Sequence, residues 1–188
     1  MTKVRCDWCN NSEIYVKYHD EEWGVPEYDD HKLFEMLVLE SFQAGLNWLT
    51  ILKKREHFRS AFDGFDYKLI SKYSDYKVLE LLQNEGIIRH RGKIEATIQN
   101  AKAFLNLQSE FASFSNYIWA YVNHQPKLNS FNSLDQVPAQ TELSQRISED
   151  LKKRGFKFLG PTTVYAFMQA TGLVNDHVIS CFKHKKSA

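Results

Sequence analysis

The sequence has few of the features that mark secreted, membrane-bound or disulfide-rich proteins. Only three of its 188 residues are cysteine, namely Cys6, Cys9 and Cys181. An odd number of cysteines argues against a disulfide framework and for a metal site or free thiols. No stretch of about 18 apolar residues occurs, and the first residues contain no apolar run of the signal-peptide kind. We therefore expect a soluble protein of the cytoplasm, with no membrane partner.

Neither positive nor negative charge is in excess. The 24 basic and 23 acidic side chains leave a net charge of +1, which indicates neither disorder nor a polyanion-binding tail. A surface for nucleic acid must then be local and offset by acid elsewhere. Hydrophobic residues make up 43% of the chain, enough for the core of one unit over residues 1–188, built as a single domain or as two helical lobes.

Apolar residues recur with helical spacing along most of the chain, and alternating strand patterns are scarce. Asp29 and Asp30 can cap a helix that runs to about Ala44, where Gly45 interrupts it. Further helices are predicted over residues 47–62, 67–73, 75–84, 92–107, 114–122, 141–155, 161–171 and 175–182. The polar stretch 124–138 is predicted to be a surface connection. The fold class predicted is therefore all-α.

Two of these helices, near the C-terminus, are joined by a turn that contains Gly155 and Gly160. The N–H groups after Gly160 lie at a helix N-terminus, where the helix dipole favours an anion such as a DNA phosphate. Thr162 and Thr163 add hydroxyl donors, and Lys153 with its two basic neighbours adds positive charge. An ordinary helix–turn–helix corner with a C-cap glycine remains open.

A second candidate for phosphate binding is the segment from Gly86 to Lys93, which reads Gly-Ile-Ile-Arg-His-Arg-Gly-Lys. It combines three cations and a histidine with two glycines. The pattern fits a phosphate clamp and a solvated loop equally well.

Cysteine and histidine cluster at both ends of the chain. The candidate metal ligands are Cys6, His19, His177 and Cys181. The last two are four residues apart on the predicted final helix, so imidazole and thiolate share one helix face. Two such pairs make a closed tetrahedral site of the structural type. Spacing alone leaves open that some are plain core residues, and Cys9 and His184 are competing ligands.

One acidic residue falls where apolar residues are expected. Glu40 lies on the inward stripe of its helix, with Met36 and Leu37 one turn before it and Ala44 one turn after it. A carboxylate is costly to bury without a partner. Two alternatives remain open: the helix turns to expose Glu40, or an arginine or histidine pairs with it.

Several stretches together resemble the DNA-3-methyladenine glycosylase I family, within the helix-hairpin-helix glycosylase superfamily. They are Tyr18–Val25, Leu37–Trp48, Ile87–Lys93, Val122–Pro126 and Lys152–His177, and they span nearly the full length. The resemblance implies a helix-hairpin-helix helical bundle in which a structural Zn²⁺ joins the N- and C-terminal segments. It also implies a monomeric base-excision repair enzyme that hydrolyses the N-glycosidic bond of 3-methyladenine in alkylated double-stranded DNA.

The resemblance further implies roles for particular side chains. Glu40 matches the family's base-contacting glutamate, whose carboxylate attracts the cationic methylated base and accepts hydrogen bonds from its edge. Trp48 would stack on that base, with a cation–π attraction of about 0.5–2 kcal/mol. Tyr18 matches a pocket residue that supplies a phenol hydrogen bond. The pocket's remaining aromatic side chains are Trp8, Tyr15 and Trp23.

Gly45 and Leu46 match the family segment that enters the duplex gap left by a flipped nucleotide. A small residue followed by an apolar wedge suits that task, although a helix break with a core leucine remains open. The four candidate metal ligands match the family's zinc ligands.

Two departures constrain the mechanism. Asn175 stands where many helix-hairpin-helix glycosylases carry an essential aspartate, and Asp176 is one residue away. Thr162 stands where bifunctional relatives carry a nucleophilic lysine, so no amine is available for a Schiff base. We therefore predict a monofunctional enzyme that leaves the strand intact. A zinc-stabilised DNA-damage sensor without catalysis remains an alternative, while a glycosylase for oxidised or mismatched bases is disfavoured.

Overall fold

The structure is a computed structural model that describes residues 3–9 and 12–184. Its α-helices are α1 (Glu13–Glu21), α2 (Asp30–Gln43), α3 (Trp48–Ala61), α4 (Tyr67–Ile70), α5 (Asp75–Gln83), α6 (Arg91–Phe111), α7 (Phe114–Ala120), α8 (Glu142–Lys153) and α9 (Pro161–Ala170). Two short strands in the described ranges, β1 (Lys127–Leu128) and β2 (Val174–Asn175), pair in parallel. The all-α prediction is confirmed. None of the helices among these residues is long and apolar enough to cross a bilayer.

The predicted helices from α2 to α9 all form, and several of them begin with a capping residue or with proline. The Asp29 side chain accepts a hydrogen bond from the Lys32 amide at the start of α2. Thr141 and Ser144 form a reciprocal capping box at the start of α8. Pro161 occupies the first turn of α9, where its missing N–H costs nothing.

The sequence pattern missed α1, which proves central to the site. The helix has 9 residues and begins after Ser12, whose side chain makes no capping hydrogen bond. It places Tyr15 and Tyr18 on one face, three residues apart, and His19 beside them. One short helix therefore supplies side chains to both of the candidate sites described below.

The prediction of a helix over residues 175–182 is wrong. After β2 the chain is irregular, and two of its amides bond to carbonyls far away in sequence, whereas the Cys181 amide forms only a tight turn with Val178. The Ile179 amide donates to the Phe131 carbonyl at 2.9 Å, and the Phe182 amide donates to the Val4 carbonyl at 2.9 Å. These long-range bonds satisfy the backbone groups that a helix satisfies locally.

Helix α2 runs through the middle of the hydrophobic core. Every residue from Leu33 to Phe42 is buried, as expected of a helix enclosed on all sides. It packs against α3, α6, α7 and α9. The main core cluster reaches from Tyr18 to Val174, and a smaller cluster contains Cys6, Val178 and Cys181. Its central helix therefore carries Glu40 into the interior.

Candidate active site and metal centre

A cavity of about 260 Å³ opens between α1, α2, α3 and α9. Its lining contains all the residues predicted to contact a base, together with three that the sequence did not indicate. The predicted residues are Trp8, Tyr15, Tyr18, Trp23, Glu40 and Trp48, and the additional ones are Gln43, Ala166 and Gln169. The volume lies near the lower end of the range for ligand pockets, which suits one small ring system.

The carboxyl group of Glu40 is buried in the wall of this cavity, with only 4% of the residue exposed. No hydrogen bond or ion pair reaches it from any residue within 3–9 and 12–184. Burial raises the pKa of Glu40 to about 8. Both alternatives considered from the sequence, exposure and pairing with a cation, are therefore wrong. An acid in such surroundings is a functional-site candidate.

Aromatic rings enclose the carboxyl group. Trp8 meets Trp23 edge to face with ring centroids 5.2 Å apart, and Tyr18 lies 5.5 Å from Trp48. The Tyr15 hydroxyl donates to the Asn47 side chain at 3.1 Å and accepts from the Leu49 amide at 3.0 Å, so it ties α1 to the start of α3. The Tyr15 ring is therefore fixed between the two helices.

Two further polar groups of the lining have no hydrogen-bond partner among the described residues. The indole Nε1 of Trp48 is buried and unpaired. Tyr18 is 3% exposed, and no hydrogen bond to its hydroxyl occurs in this part of the chain. Burial, reinforced by the nearby charge of Glu40, holds the pKa of Tyr18 well above its usual range. Both groups are neutral donors available to a ligand.

A groove of about 640 Å³ adjoins the cavity and shares part of its wall. Gly45, Thr162 and Thr163, three of the residues predicted to contact DNA, line this groove. Leu46 follows Gly45 and is 40% exposed, so it is not the core leucine of the alternative interpretation. Base-pocket and DNA-contact candidates from distant parts of the sequence therefore lie side by side.

The glycines next to this groove leave open space around them. A Cβ added at Gly45 or at Gly160 would meet no protein atom within 4 Å. Gly45 also has φ +82, which glycine adopts without strain. The turn between α8 and α9 owes its direction to Gly155 at φ +93 and Phe158 at φ +56, whereas Gly160 has an ordinary φ of −67. Gly160 and Lys153 are exposed on this turn and its preceding helix.

The four predicted metal ligands converge on one point. The ligand atoms of Cys6, His19, His177 and Cys181 all lie within 4.8 Å of one another, and all four residues are buried. The Cys181 sulfur is 3.4 Å from His19 Nε2 and 3.5 Å from His177 Nδ1, and the Cys6 sulfur is 3.7 Å from that same Nδ1. A tetrahedral ion with metal–sulfur bonds of about 2.3 Å and metal–nitrogen bonds of about 2.0–2.1 Å separates sulfur from nitrogen by about 3.6 Å. The group can therefore hold a metal ion.

In each histidine, the ring nitrogen that faces away from the four-residue group has a hydrogen-bond partner, as is usual for histidines that bind a metal. His19 Nδ1 lies 2.8 Å from the Asp20 carboxylate, and Arg5 donates to that same carboxylate. His177 Nε2 lies 3.0 Å from the Trp23 carbonyl oxygen. Such partners set the tautomer so that the other nitrogen faces the ion. Burial raises the pKa of the Cys6 thiol to about 12, so a thiolate there requires the charge of a cation.

The chain matches known proteins over nearly its full length. A family model described as methyladenine glycosylase matches residues 8–184. The chain belongs to the methyladenine glycosylase family. DNA-3-methyladenine glycosylase 1 of Escherichia coli (strain K12) is 50% identical over 177 residues, which cover 94% of this chain and 95% of that protein.

Solved structures of the family agree with the fold. A crystal structure of 3-methyladenine DNA glycosylase I superposes with a TM-score of 0.94 at 52% identity, covering 97% of this chain and 100% of that one. A second solved structure concerns the recognition of 3-methyladenine by 3-methyladenine DNA glycosylase I from Staphylococcus aureus. It superposes with a TM-score of 0.94 at 37% identity, and the match covers 98% of each chain. The family prediction is confirmed.

The competing metal ligands lie outside the four-residue group in this methyladenine glycosylase family member. The Cys9 sulfur lies 3.1 Å from the Cys6 carbonyl oxygen, to which it donates. His184 Nδ1 lies 3.1 Å from the His177 carbonyl oxygen. The His177 and Cys181 side chains reach the centre from β2 and the turns after it, and not from one helix face as the sequence suggested.

Of the three cations in the Gly86–Lys93 segment, Arg89 and Arg91 are exposed and Lys93 is buried. Lys93 is 6% exposed, and its ammonium group donates to the carbonyl oxygens of Phe42 at 2.8 Å and Ala44 at 2.7 Å. These carbonyls end α2 and would otherwise lack partners. Lys93 therefore holds the turn that leads into Gly45.

Replacing Lys93 with methionine should lower the stability of this family member by roughly 2–4 kcal/mol, because each buried carbonyl left without a donor costs about 1–3 kcal/mol. Urea unfolding followed by circular dichroism measures the loss. Lys102→Met is the matched control, since Lys102 is exposed on the same helix. Equal stability of the two variants would show that Lys93 does not hold the end of α2.

Asp176 cannot take the place of the essential aspartate that Asn175 replaces. It is 1% exposed, and its carboxylate accepts hydrogen bonds from the Tyr165 hydroxyl at 2.5 Å, Gln169 Nε2 at 2.8 Å and Asn129 Nδ2 at 2.7 Å. Neither Asn175 nor Asp176 lines the cavity. The acid of the pocket is therefore Glu40.

Proposed function

We propose that this protein is a monofunctional DNA-3-methyladenine glycosylase, which hydrolyses the N-glycosidic bond of 3-methyladenine in alkylated DNA as a step of base-excision repair. The observation that carries the proposal is the buried carboxyl of Glu40, without a partner among the described residues, inside a cavity walled by aromatic rings. The cavity adjoins a groove in which candidate DNA contacts lie.

The chemistry of the cavity favours a cationic purine over a neutral one. Adenine methylated at N3 in DNA carries a positive charge and is a good leaving group. The Glu40 carboxylate attracts that charge and accepts hydrogen bonds from the edge of the base. Trp48 stacks on the ring and adds a cation–π attraction, while Tyr18 offers its hydroxyl. Neutral adenine gains less from the same groups, so the site discriminates by charge.

The base reaches the cavity only after it leaves the helical stack. The wedge at Gly45 and Leu46 would enter the gap, and the exposed Leu46 side chain is free to do so. The start of α9, with Gly160, Thr162 and Thr163, would hold a phosphate, supported by the positive charge of Lys153. These contacts do not depend on base sequence, as a repair enzyme requires.

We assign Zn²⁺ to the group formed by Cys6, His19, His177 and Cys181, because two sulfur and two nitrogen ligands in a closed tetrahedral arrangement are typical of structural zinc. The ion would supply no chemistry to the substrate, since its four protein ligands leave no position for water. These residues instead tie the two ends of the chain together behind the base pocket.

The release of methylated bases tests the proposal directly. Duplex DNA treated with a methylating agent is incubated with the protein, and the freed bases are resolved by chromatography. We expect 3-methyladenine in the supernatant and a strand that breaks only after heating in alkali, because Thr162 offers no amine. Binding of the methylated duplex without base release would favour the damage-sensor alternative.

The pH dependence of kcat/KM should report the buried acid. The ionised form of Glu40 attracts the cationic base, and burial raises its pKa to about 8 in the free protein. The value of kcat/KM is therefore expected to rise with pH until about 8 and then to level off. Single-turnover release measured from pH 6 to 9 checks this, and a flat profile would contradict it.

A further inference from the structure

Gln169 on α9 occupies a position that the sequence did not indicate. It lines both the base cavity and the adjoining groove, as Trp8, Trp23, Gln43 and Ala166 also do, so it lies where the two meet. Glu40 and Tyr18 line the cavity alone and are buried. A base that enters from the groove with its ring beside Glu40 would leave its bond to the sugar at this junction, where Gln169 is one of two amide side chains.

The orientation of the Gln169 amide is set by Asp176. A carboxylate only accepts hydrogen bonds, so the –NH₂ group of Gln169 must face it, at 2.8 Å. The carbonyl oxygen of the same amide then points away from Asp176. No donor within the described residues reaches that oxygen, and it is not sealed from solvent.

Asp176 is itself held firmly enough to impose this orientation. It is 1% exposed, and Tyr165 and Asn129 donate to its two oxygens in addition to Gln169. The other glutamine where the cavity and the groove meet is Gln43. Its –NH₂ group donates to the Leu46 carbonyl at 3.1 Å and not to a carboxylate. Gln169 is thus the amide whose carbonyl is fixed by a buried acid.

We propose that Gln169 is a catalytic residue whose carbonyl oxygen faces C1′ of the deoxyribose, and that Asp176 is its positioning residue. The proposal rests on the function proposed above. It names a polar group at the sugar in a chain where Asn175 replaces the essential aspartate of many helix-hairpin-helix glycosylases. A fixed carbonyl dipole stabilises positive charge that develops near it. The sugar acquires such charge as its bond to the base stretches.

The reaction balances without a further reagent. The oxygen of a water molecule bonds to C1′, and the bond from C1′ to the base nitrogen breaks. Its electron pair neutralises the cationic base, which leaves as 3-methyladenine. The water becomes the sugar hydroxyl and loses a proton to the solvent. The Gln169 oxygen accepts a hydrogen bond from the water and takes no proton.

The test separates this role from base binding. Gln169→Met keeps the side-chain length and removes the carbonyl. We expect single-turnover release of 3-methyladenine to slow by roughly 10–100-fold, in line with the loss of one preorganised polar group. The affinity for free 3-methyladenine, measured by tryptophan fluorescence, should stay within about twofold, because the free base has no sugar. Equal losses of rate and affinity would make Gln169 a base contact and overturn the proposal.

A second pair of variants tests the positioning by Asp176. Asp176→Leu removes the oxygen that accepts from the Gln169 amide, so the amide is free to turn, and release should slow by at least about tenfold. Asp150→Asn alters a carboxylate that accepts from Tyr117 and lines neither the cavity nor the groove, and it should leave the rate within about twofold. Metal content and melting temperature verify that each variant is folded, and Asp176→Ala replaces Asp176→Leu if that variant fails the check. An unchanged rate in the folded Asp176 variant would overturn the positioning role, whereas absence of release by the unmodified protein would refute the proposed function itself.

Discussion

Replacing Glu40 with glutamine is expected to slow release of 3-methyladenine at least about 100-fold and to abolish quenching of tryptophan fluorescence by the free base. The variant keeps the shape of the side chain and removes the charge that the cavity presents. Charge-assisted hydrogen bonds are roughly twice as strong as neutral ones, and the low dielectric of the site amplifies the difference. Single-turnover kinetics and fluorescence titration on the same preparation measure both effects.

Glu35→Gln is the matched control for this result. Glu35 lies on the same helix and is 8% exposed, but its carboxylate is paired with Arg59 at 2.9 Å and faces away from the base cavity. We expect its release rate to stay within about twofold of the unmodified protein. Full activity of Glu40→Gln would end the charge-based explanation of selectivity.

The Glu40→Gln variant should also be more stable than the unmodified protein, and the difference in free energy of unfolding should grow as the pH rises. Burial raises the pKa of Glu40 from an ordinary 4.5 to about 8, so between these values the folded state keeps a proton that the unfolded chain has lost. The stability of the unmodified protein therefore falls with pH across this window, by up to about 1.4 kcal/mol per pH unit, and levels off above about 8. Denaturant unfolding of both proteins at pH 5, 7 and 9 measures the difference. A constant difference would contradict the raised pKa.

Loss of the metal is the second large effect. Cys181→Ser is expected to abolish stoichiometric zinc and to lower the melting temperature by about 10 °C or more. Cys6 and His19 come from one end of the chain and His177 and Cys181 from the other, and the ion joins them. Metal binding of this kind contributes directly to folding free energy, and each kcal/mol lost shifts the melting temperature by about 2–4 °C at this size. Elemental analysis and calorimetry measure the two quantities.

Cys9→Ser provides the matched control, because Cys9 is a buried cysteine three residues from Cys6 and outside the four-ligand group. It should retain one zinc per chain and nearly the full melting temperature. Zinc in Cys181→Ser at the level of the unmodified protein would show that the ligand set is misassigned. Activity of the chelated protein at low temperature would agree with a structural and not a catalytic ion.

The sequence by itself determined the helices from α2 to α9, because their caps and apolar spacing are local properties that neighbouring residues satisfy. Its motifs also carried the resemblance to the family, and that resemblance implied the aromatic side chains of the cavity, the role of Glu40 and the four metal ligands. From spacing alone, exposure or pairing of Glu40 and a plain core role for some of the metal ligands remained open. Caps, apolar spacing and family motifs are patterns of residue identity, which can be read before the chain folds.

Only the tertiary structure decided where the remaining groups act. Lys93 belongs to a segment rich in cations, yet contacts distant in sequence bury it at the end of α2. The 175–182 segment forms no helix, since the Ile179 and Phe182 amides bond to carbonyls more than 40 residues away. Gln169 and Asp176 are seven residues apart, and only the turn after α9 brings them together at the mouth of the cavity. The physical reason is common to all three: burial and long-range hydrogen bonds are properties of the packed chain and leave no local pattern.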